Sequence, residues 1–187
     1  AYAADAAREL GLTPDPDWMH VADNIPILKF PDGVTRENAT YDGVNIKQAD
    51  VNLLAYPLRV VTDPAQVKKD LDYYEPRMAK DGPAMGNAIL SLLAARSGDP
   101  VRAYDLWVKS YKPNEVPPFG VLAETAGGTN PYFATGAGGF LQATLMGFGG
   151  LDISPGGIVQ MKTKLPKGWK GLTMTGIGVE RKTFVVK

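Results

Sequence analysis

Up to about residue 150 the apolar residues of this chain recur three and four apart, and beyond it they alternate. The chain must therefore fold as a run of helices followed by strands. The clearest helix is GPAMGNAILSLLAARSGD, residues 82–99, where Met85, Ala88, Ile89, Leu92 and Leu93 fall at i, i+3, i+4, i+7 and i+8. Residues 62–78 offer Thr62 as N-cap, an inner face of Val67, Leu71 and Tyr74, and Pro76 near the end. Residues 99–112 place Val101, Tyr104, Val108 and Tyr111 on one face, and the short SGDP link predicts an antiparallel hairpin with the preceding helix. Residues 46–58, IKQADVNLLAYPL, put Val51, Leu54, Ala55 and Leu58 at helical spacing, and TPDPDWMHVADNI predicts a short helix capped by one of its aspartates. The opening AYAADAARELG sets Ala3, Ala6, Ala7 and Leu10 on one face with Gly11 at C′, and reads as the last turns of a helix cut from something longer. After the period changes, Val159, Met161, Thr163 and Leu165 face one way. With 171–179 and 182–186 they predict a small antiparallel sheet from about residue 151.

Charge and residue usage narrow the chemistry. Twenty basic residues balance twenty acidic ones with no basic run, so neither nucleic acid nor a membrane surface is an expected partner; with 44% hydrophobic residues, the chain reads as soluble and globular. There is no cysteine, which excludes disulfides and thiolate zinc sites. His20 is the single histidine, so histidine clusters are excluded and Ser-His-Asp chemistry has one candidate base; a packed or surface histidine is the commoner case. No metal and no other cofactor is expected.

The stretch from Lys112 to about Ala134 is too long for a mere connection, and a helix is expected to begin near Thr135. Phe140, Leu141, Thr144, Leu145 and Phe148 lie on one face of that helix, while Gly136, Gly138 and Gly139 admit close backbone approach. At about 14 residues it is shorter than the roughly 20 that cross a bilayer. GAGGFL lacks the third glycine of a dinucleotide fingerprint and follows no strand, although a helix N-terminus at Thr135 could still hold an anion. Glu124 stands before this uncharged region, after the apolar PPFGVLA, without a basic neighbour in sequence. Burial without a partner would raise its pKa toward neutrality and suit it to proton transfer; the alternative is a glutamate that caps a turn. Lys47 and Gln48, at the start of an apolar stretch, fit either contacts to sugar hydroxyls or a solvated first turn. Trp18, Trp107 and Trp169 could stack on sugar faces, but Trp107 falls near the core face of its helix.

Four blocks, IKQADVNLLAYPL, DGPAMGNAILSLLAA, PPFGVLAET and FATGAGGFLQATLMGFGGLDI, resemble in order and spacing the catalytic domain of glycoside hydrolase family 65 over about residues 18–153. The family includes kojibiose hydrolases, acid trehalases, a glucosidase of glucosylgalactosyl-hydroxylysine, and disaccharide phosphorylases. The resemblance implies a mainly α fold: the C-terminal half of an (α/α)6 barrel over residues 1–150, followed by a small antiparallel β-sheet domain over 151–187. It also implies that the remaining N-terminal part of the same enzyme carries the general acid, so that this segment alone would be inactive. By position, Glu124 matches the general base of the hydrolases, and Lys47 and Gln48 match the pair that contacts glucose in subsite −1. The implied reaction inverts the anomeric centre, with acid and base carboxyls roughly 6.5–9.5 Å apart to house a water. Phosphorylases of the family carry a Ser-Ser-Leu-Ser run where this chain has Pro83–Gly86, and a Gly-Leu-His-x-x-Ser type run where it has Asn130–Gly136. The resemblance therefore favours hydrolysis of an α-linked glucosyl disaccharide, α-1,2-linked as in kojibiose. A trehalose hydrolase, a phosphorylase and a non-catalytic carbohydrate-binding or scaffold segment are the alternatives. Exported members of the family point to a periplasmic or secreted setting.

Overall fold

A computed structural model describes residues 1–187, and the chain divides into two compact units, 1–39 and 40–187. The first unit holds α1 (Tyr2–Glu9) and α2 (Pro16–Asn24). Gly11 follows the C-cap Leu10 with φ +71°, as the sequence predicts, but the buried residues of α1 are Ala4 and Ala7, and Leu10 is 75% exposed. The predicted face is thus displaced by about one residue. Asp15 caps α2 by accepting the Asp17 N–H at 2.9 Å, and Pro16 fills the first helical position, where its missing N–H has no cost.

The second unit is built around α5 (Met85–Arg96), of whose twelve residues nine are buried. The helix is apolar nearly all round, wider than the predicted stripe, because it has neighbours on several sides: α4 (Pro64–Tyr74), α6 (Pro100–Lys109) and α7 (Ala134–Gln142). Its buried Ser91 is satisfied by donating to the Ala103 carbonyl at 2.8 Å across the α5–α6 hairpin. That contact shows which side of α6 faces inward: Ala103 and Leu106 are buried, whereas Val101 and Tyr104, assigned to the inner face from sequence, are exposed. In α4 the predicted Leu71 and Tyr74 are buried, but the cap is Asp63 and not Thr62. Pro64 occupies the first helical position, so the Asp63 carboxylate is the one that reaches the Ala65 N–H, at 3.2 Å.

The predicted helix over 46–58 is reduced to a single turn, α3 (Asp50–Leu53). The N–H groups of both Val60 and Val61 return to the Leu54 carbonyl, at 2.8 and 3.0 Å, and Pro57 supplies no donor to continue the ladder. Past α7 the helix widens to a π turn over Ala143–Phe148, with the Gly149 N–H reaching the Thr144 carbonyl. Two glycines eight residues apart let this rod lie against α5: a Cβ on Gly139 would sit 3.3 Å from that of Ala88, and one on Gly147 only 3.1 Å from the Leu92 Cα. Gly138, also expected to serve close approach, has nothing within 4 Å, and Leu141 points outward at 56% exposure. Trp107 stacks on Phe140 with ring centroids 4.9 Å apart, meets Trp169 edge-on at 5.5 Å, and donates its indole N–H to Thr144 Oγ1 at 3.0 Å. Trp107 and Trp169 therefore belong to an aromatic packing cluster.

Strands form three separate antiparallel pairs: β1–β2 (Glu115–Val116 with Val121–Leu122), β3–β4 (Leu151–Ser154 with Gly157–Gln160) and β5–β6 (Leu172–Ile177 with Lys182–Val186). The single sheet expected from residue 151 onward is thus two hairpins, and β1–β2 lies inside the predicted loop. Strand β4 ends at Gln160, although the chain beyond keeps the register of the pair: the Met161 N–H goes to the Gly150 carbonyl at 2.8 Å, and Thr163 Oγ1 to the Phe148 carbonyl at 2.6 Å. Val159 and Met161, predicted to share one face, are exposed, and Ile158 is the side chain of β4 that packs against the small core. Leu151, Met174 and Val186 make the small core of this region. No helix is long and apolar enough to cross a membrane.

Candidate functional site

The connection after α6 is held far more firmly than its lack of long elements suggests. A 3₁₀ turn at Lys112–Asn114 leads into the β1–β2 hairpin, and from there into Ala123 and Glu124. The Ala123 N–H donates to the Asn114 carbonyl at 2.8 Å, the Gly127 N–H to the Pro113 carbonyl at 3.1 Å, and the Phe133 N–H to the Leu122 carbonyl at 2.8 Å. The side chain of Asn114, only 3% exposed, donates through Nδ2 to the carbonyls of Ala123 and Glu124, at 3.1 and 3.0 Å. Glu124 thus projects from a fixed backbone.

Lys47 arrives from a second anchored segment. The preceding residue, Ile46, exchanges backbone hydrogen bonds with 77–79: its N–H donates to the Arg77 carbonyl and its carbonyl accepts the Ala79 N–H, both at 2.9 Å. Lys47 Nζ then lies 3.9 Å from Glu124 Oε1. The expectation of a buried, unpartnered Glu124 is overturned: its side chain is 42% exposed, and its cationic neighbour comes from 77 residues upstream in sequence, out of reach of a local reading.

Gln48 lines a neighbouring cavity of about 220 Å³, together with Asp50, Met85, Gly86, Thr135 and Gln142. Two runs that are distant in sequence, around Met85–Gly86 and around Thr135, meet in its wall, which offers a threonine hydroxyl and two side-chain amides but no basic side chain. Helix α7 begins at Ala134 without a side-chain cap. Tyr132 is 80% exposed with φ +70°, while the Phe133 ring lies beside Gly136.

A separate cavity of about 710 Å³ is lined by none of Lys47, Gln48 and Glu124. In its wall Arg102 bridges Asp72 and Glu75, and Lys80 and Lys109 add positive charge. Lys68 hydrogen-bonds Asp72 and, with Arg102, holds its carboxyl below the usual range against the opposing effect of partial burial. We take the smaller cavity and the Lys47–Glu124 pair as the site, because the pair sets a solvent-open carboxylate 3.9 Å from an ammonium and Gln48, next in sequence to Lys47, lines the cavity. His20 is on the surface, its carbonyl accepting from Asn24 Nδ2, and Trp18 is partly exposed in the first unit. Asn114 was missed from sequence: within Lys-Pro-Asn it reads as an ordinary turn residue, and nothing local marks the carbonyls that it holds.

A carboxylate in this position can take a proton from water, and the lysine and glutamine can hydrogen-bond hydroxyls. Residues 33–114 match the model of the glycosyl hydrolase family 65 central catalytic domain. The chain is 63% identical to a kojibiose hydrolase of Mucilaginibacter mallensis over 99% of its own length, and 54% identical to one of Flavobacterium johnsoniae, also over 99%. It is 37% identical over 88% of its length to an acid trehalase of Emericella nidulans. It spans 28% of the length of each of the two kojibiose hydrolases and 17% of the trehalase. With the catalytic-domain match and similarity running along nearly the whole sequence, the chain belongs to glycoside hydrolase family 65.

Proposed function

We propose that this chain is part of an inverting α-glucosidase that hydrolyses an α-glucosyl disaccharide, with kojibiose and its α-1,2 linkage favoured. Glu124 serves as the general base, taking a proton from the attacking water, and Lys47 and Gln48 hold the glucose of subsite −1. In this reading residues 1–150 are part of the C-terminal half of an (α/α)6 barrel and 151–187 a small β domain, with the general acid on a part of the enzyme outside this segment. The observation that carries it is the 3.9 Å approach of Lys47 Nζ to Glu124 Oε1, a pairing across 77 residues of the groups that the family resemblance assigns to one site. Support for water over phosphate as nucleophile comes from the two runs that meet at the cavity, which Met85 and Gly86 line from one and Thr135 from the other. Met85 and Gly86 stand in one run, and Tyr132 and Phe133 in the other, where the resemblance places the anion-binding side chains of phosphorylases.

The complete polypeptide should release glucose from kojibiose without phosphate. Glu124→Gln should lower that release by about 10³-fold or more while leaving sugar binding within a few-fold, as loss of a positioned proton acceptor does. Unchanged turnover in Glu124→Gln would remove this residue from the mechanism. Trehalose is the second substrate to assay, because an acid trehalase is among the similar proteins; preferential release from trehalose would reassign the linkage.

A further inference from the structure

We propose that Asn114 is the positioning residue for Glu124, setting the peptide from which the carboxylate projects and affecting turnover only through it. The inference rests on the reading of Glu124 as general base. Carbonyls of successive residues in an extended chain point to opposite sides, so two of them reach one nitrogen only if the peptide between them is turned. Asn114 Nδ2 enforces that turn with its two hydrogens, directed at the Ala123 and Glu124 carbonyls, 3.1 and 3.0 Å away. The clamp is closed from the other side by the Ala123 N–H on the Asn114 main-chain carbonyl, 2.8 Å away, so residue 114 grips Ala123 at both its polar backbone groups. Ala123 is fully buried and Asn114 nearly so, which leaves water little access to replace either bond.

The carboxylate itself is held weakly. Its ion pair with Lys47 spans 3.9 Å, and the two side chains are 66% and 42% exposed for lysine and glutamate, respectively. Aim must therefore come from the backbone. Misplacement of a reacting group by about 1 Å can cost around 10²-fold in rate.

Asn114→Asp keeps the shape and removes both donors, setting carboxylate oxygens against two carbonyl oxygens. In the complete polypeptide, with kojibiose as the probe, this variant should lower kcat by roughly 10- to 100-fold and leave KM within about threefold, since Lys47 and Gln48 remain in place. Combined with Glu124→Gln, it should lower the residual turnover no further, because a residue that acts through Glu124 has nothing left to position. Losses that multiply in the double variant, a KM that rises in step, or normal kcat in Asn114→Asp would each overturn the proposal. If Asn114→Asp does not fold, Asn114→Ser keeps one donor and should show a smaller kcat loss, again absent in the Glu124→Gln background; full activity or a multiplying loss would overturn the proposal equally. Full turnover in Glu124→Gln alone defeats the base assignment and this proposal together, whereas an inactive Glu124→Gln with a multiplying Asn114 effect defeats only this one.

Discussion

At Gly150 two constraints coincide. Its φ is +66°, and a Cβ there would stand 2.4 Å from the Met161 carbonyl oxygen, a backbone atom that cannot swing aside. Gly150→Ala should therefore destabilise by about 2–4 kcal/mol, combining the left-handed penalty with overpacking, read as a lower midpoint of urea unfolding. Gly138→Ala is the control: with open space around its Cβ and an ordinary helical position, it should raise stability by roughly 0.5–1 kcal/mol. The same attention to single contacts separates Asn114 from the many turn asparagines that sequence alone cannot distinguish. Its value lies in the two carbonyls that it meets, and both belong to residues about ten positions away.

At the scale of elements, capping and packing decide what periodicity leaves open. Asp63, and not Thr62, closes the N-terminus of α4, so Asp63→Ala should lower stability by about 1 kcal/mol and Thr62→Ala should stay within roughly 0.5 kcal/mol of the parent, measured by urea unfolding. The reverse order of effects would mean that the cap had been misplaced. Helix α6 shows why apolar spacing misjudges a face: Ala103 lets the backbone approach α5 closely enough for Ser91 to reach its carbonyl, and the larger Val101 is left outside. Small residues carry little hydropathy signal, yet they set which side can come near.

Across the whole of the second unit, Arg96 joins the helical part to the strands. From the end of α5 its Nε donates to the Met146 carbonyl at 3.0 Å and its Nη2 to the Leu151 carbonyl at 2.9 Å. Its guanidinium also faces Asp152 at 3.5 Å and lies over the Tyr56 ring, 4.3 Å from the centroid. Arg59 holds the same aspartate from the turn after α3. Arg96→Ala would leave two carbonyls and a largely buried carboxylate without these partners, a loss of about 3 kcal/mol. Amide hydrogen exchange in β3 should accelerate more than in α5, since the strand loses its tie while the helix keeps its core. Equal exchange in both elements would show that β3 is held by something else.

The sequence by itself determined that helices prevail to about residue 150 and strands beyond it, although not the β1–β2 hairpin that precedes α7, because apolar period is a local property that each longer segment carries wherever it packs. It determined α5 and its hairpin with α6 for the same reason, and an aspartate cap for α2 that the structure assigns to Asp15. Through its resemblance to a family it also singled out Lys47, Gln48 and Glu124. Only the tertiary structure decided that Glu124 is open to solvent and faces Lys47, that Asn114 fixes its backbone, and that the 46–58 helix stops after one turn. The Lys47–Glu124 approach joins groups 77 residues apart, and the other two depend on hydrogen bonds across turns that apolar period does not report, so the energy that selects among local alternatives arises only when the fold brings these groups into contact.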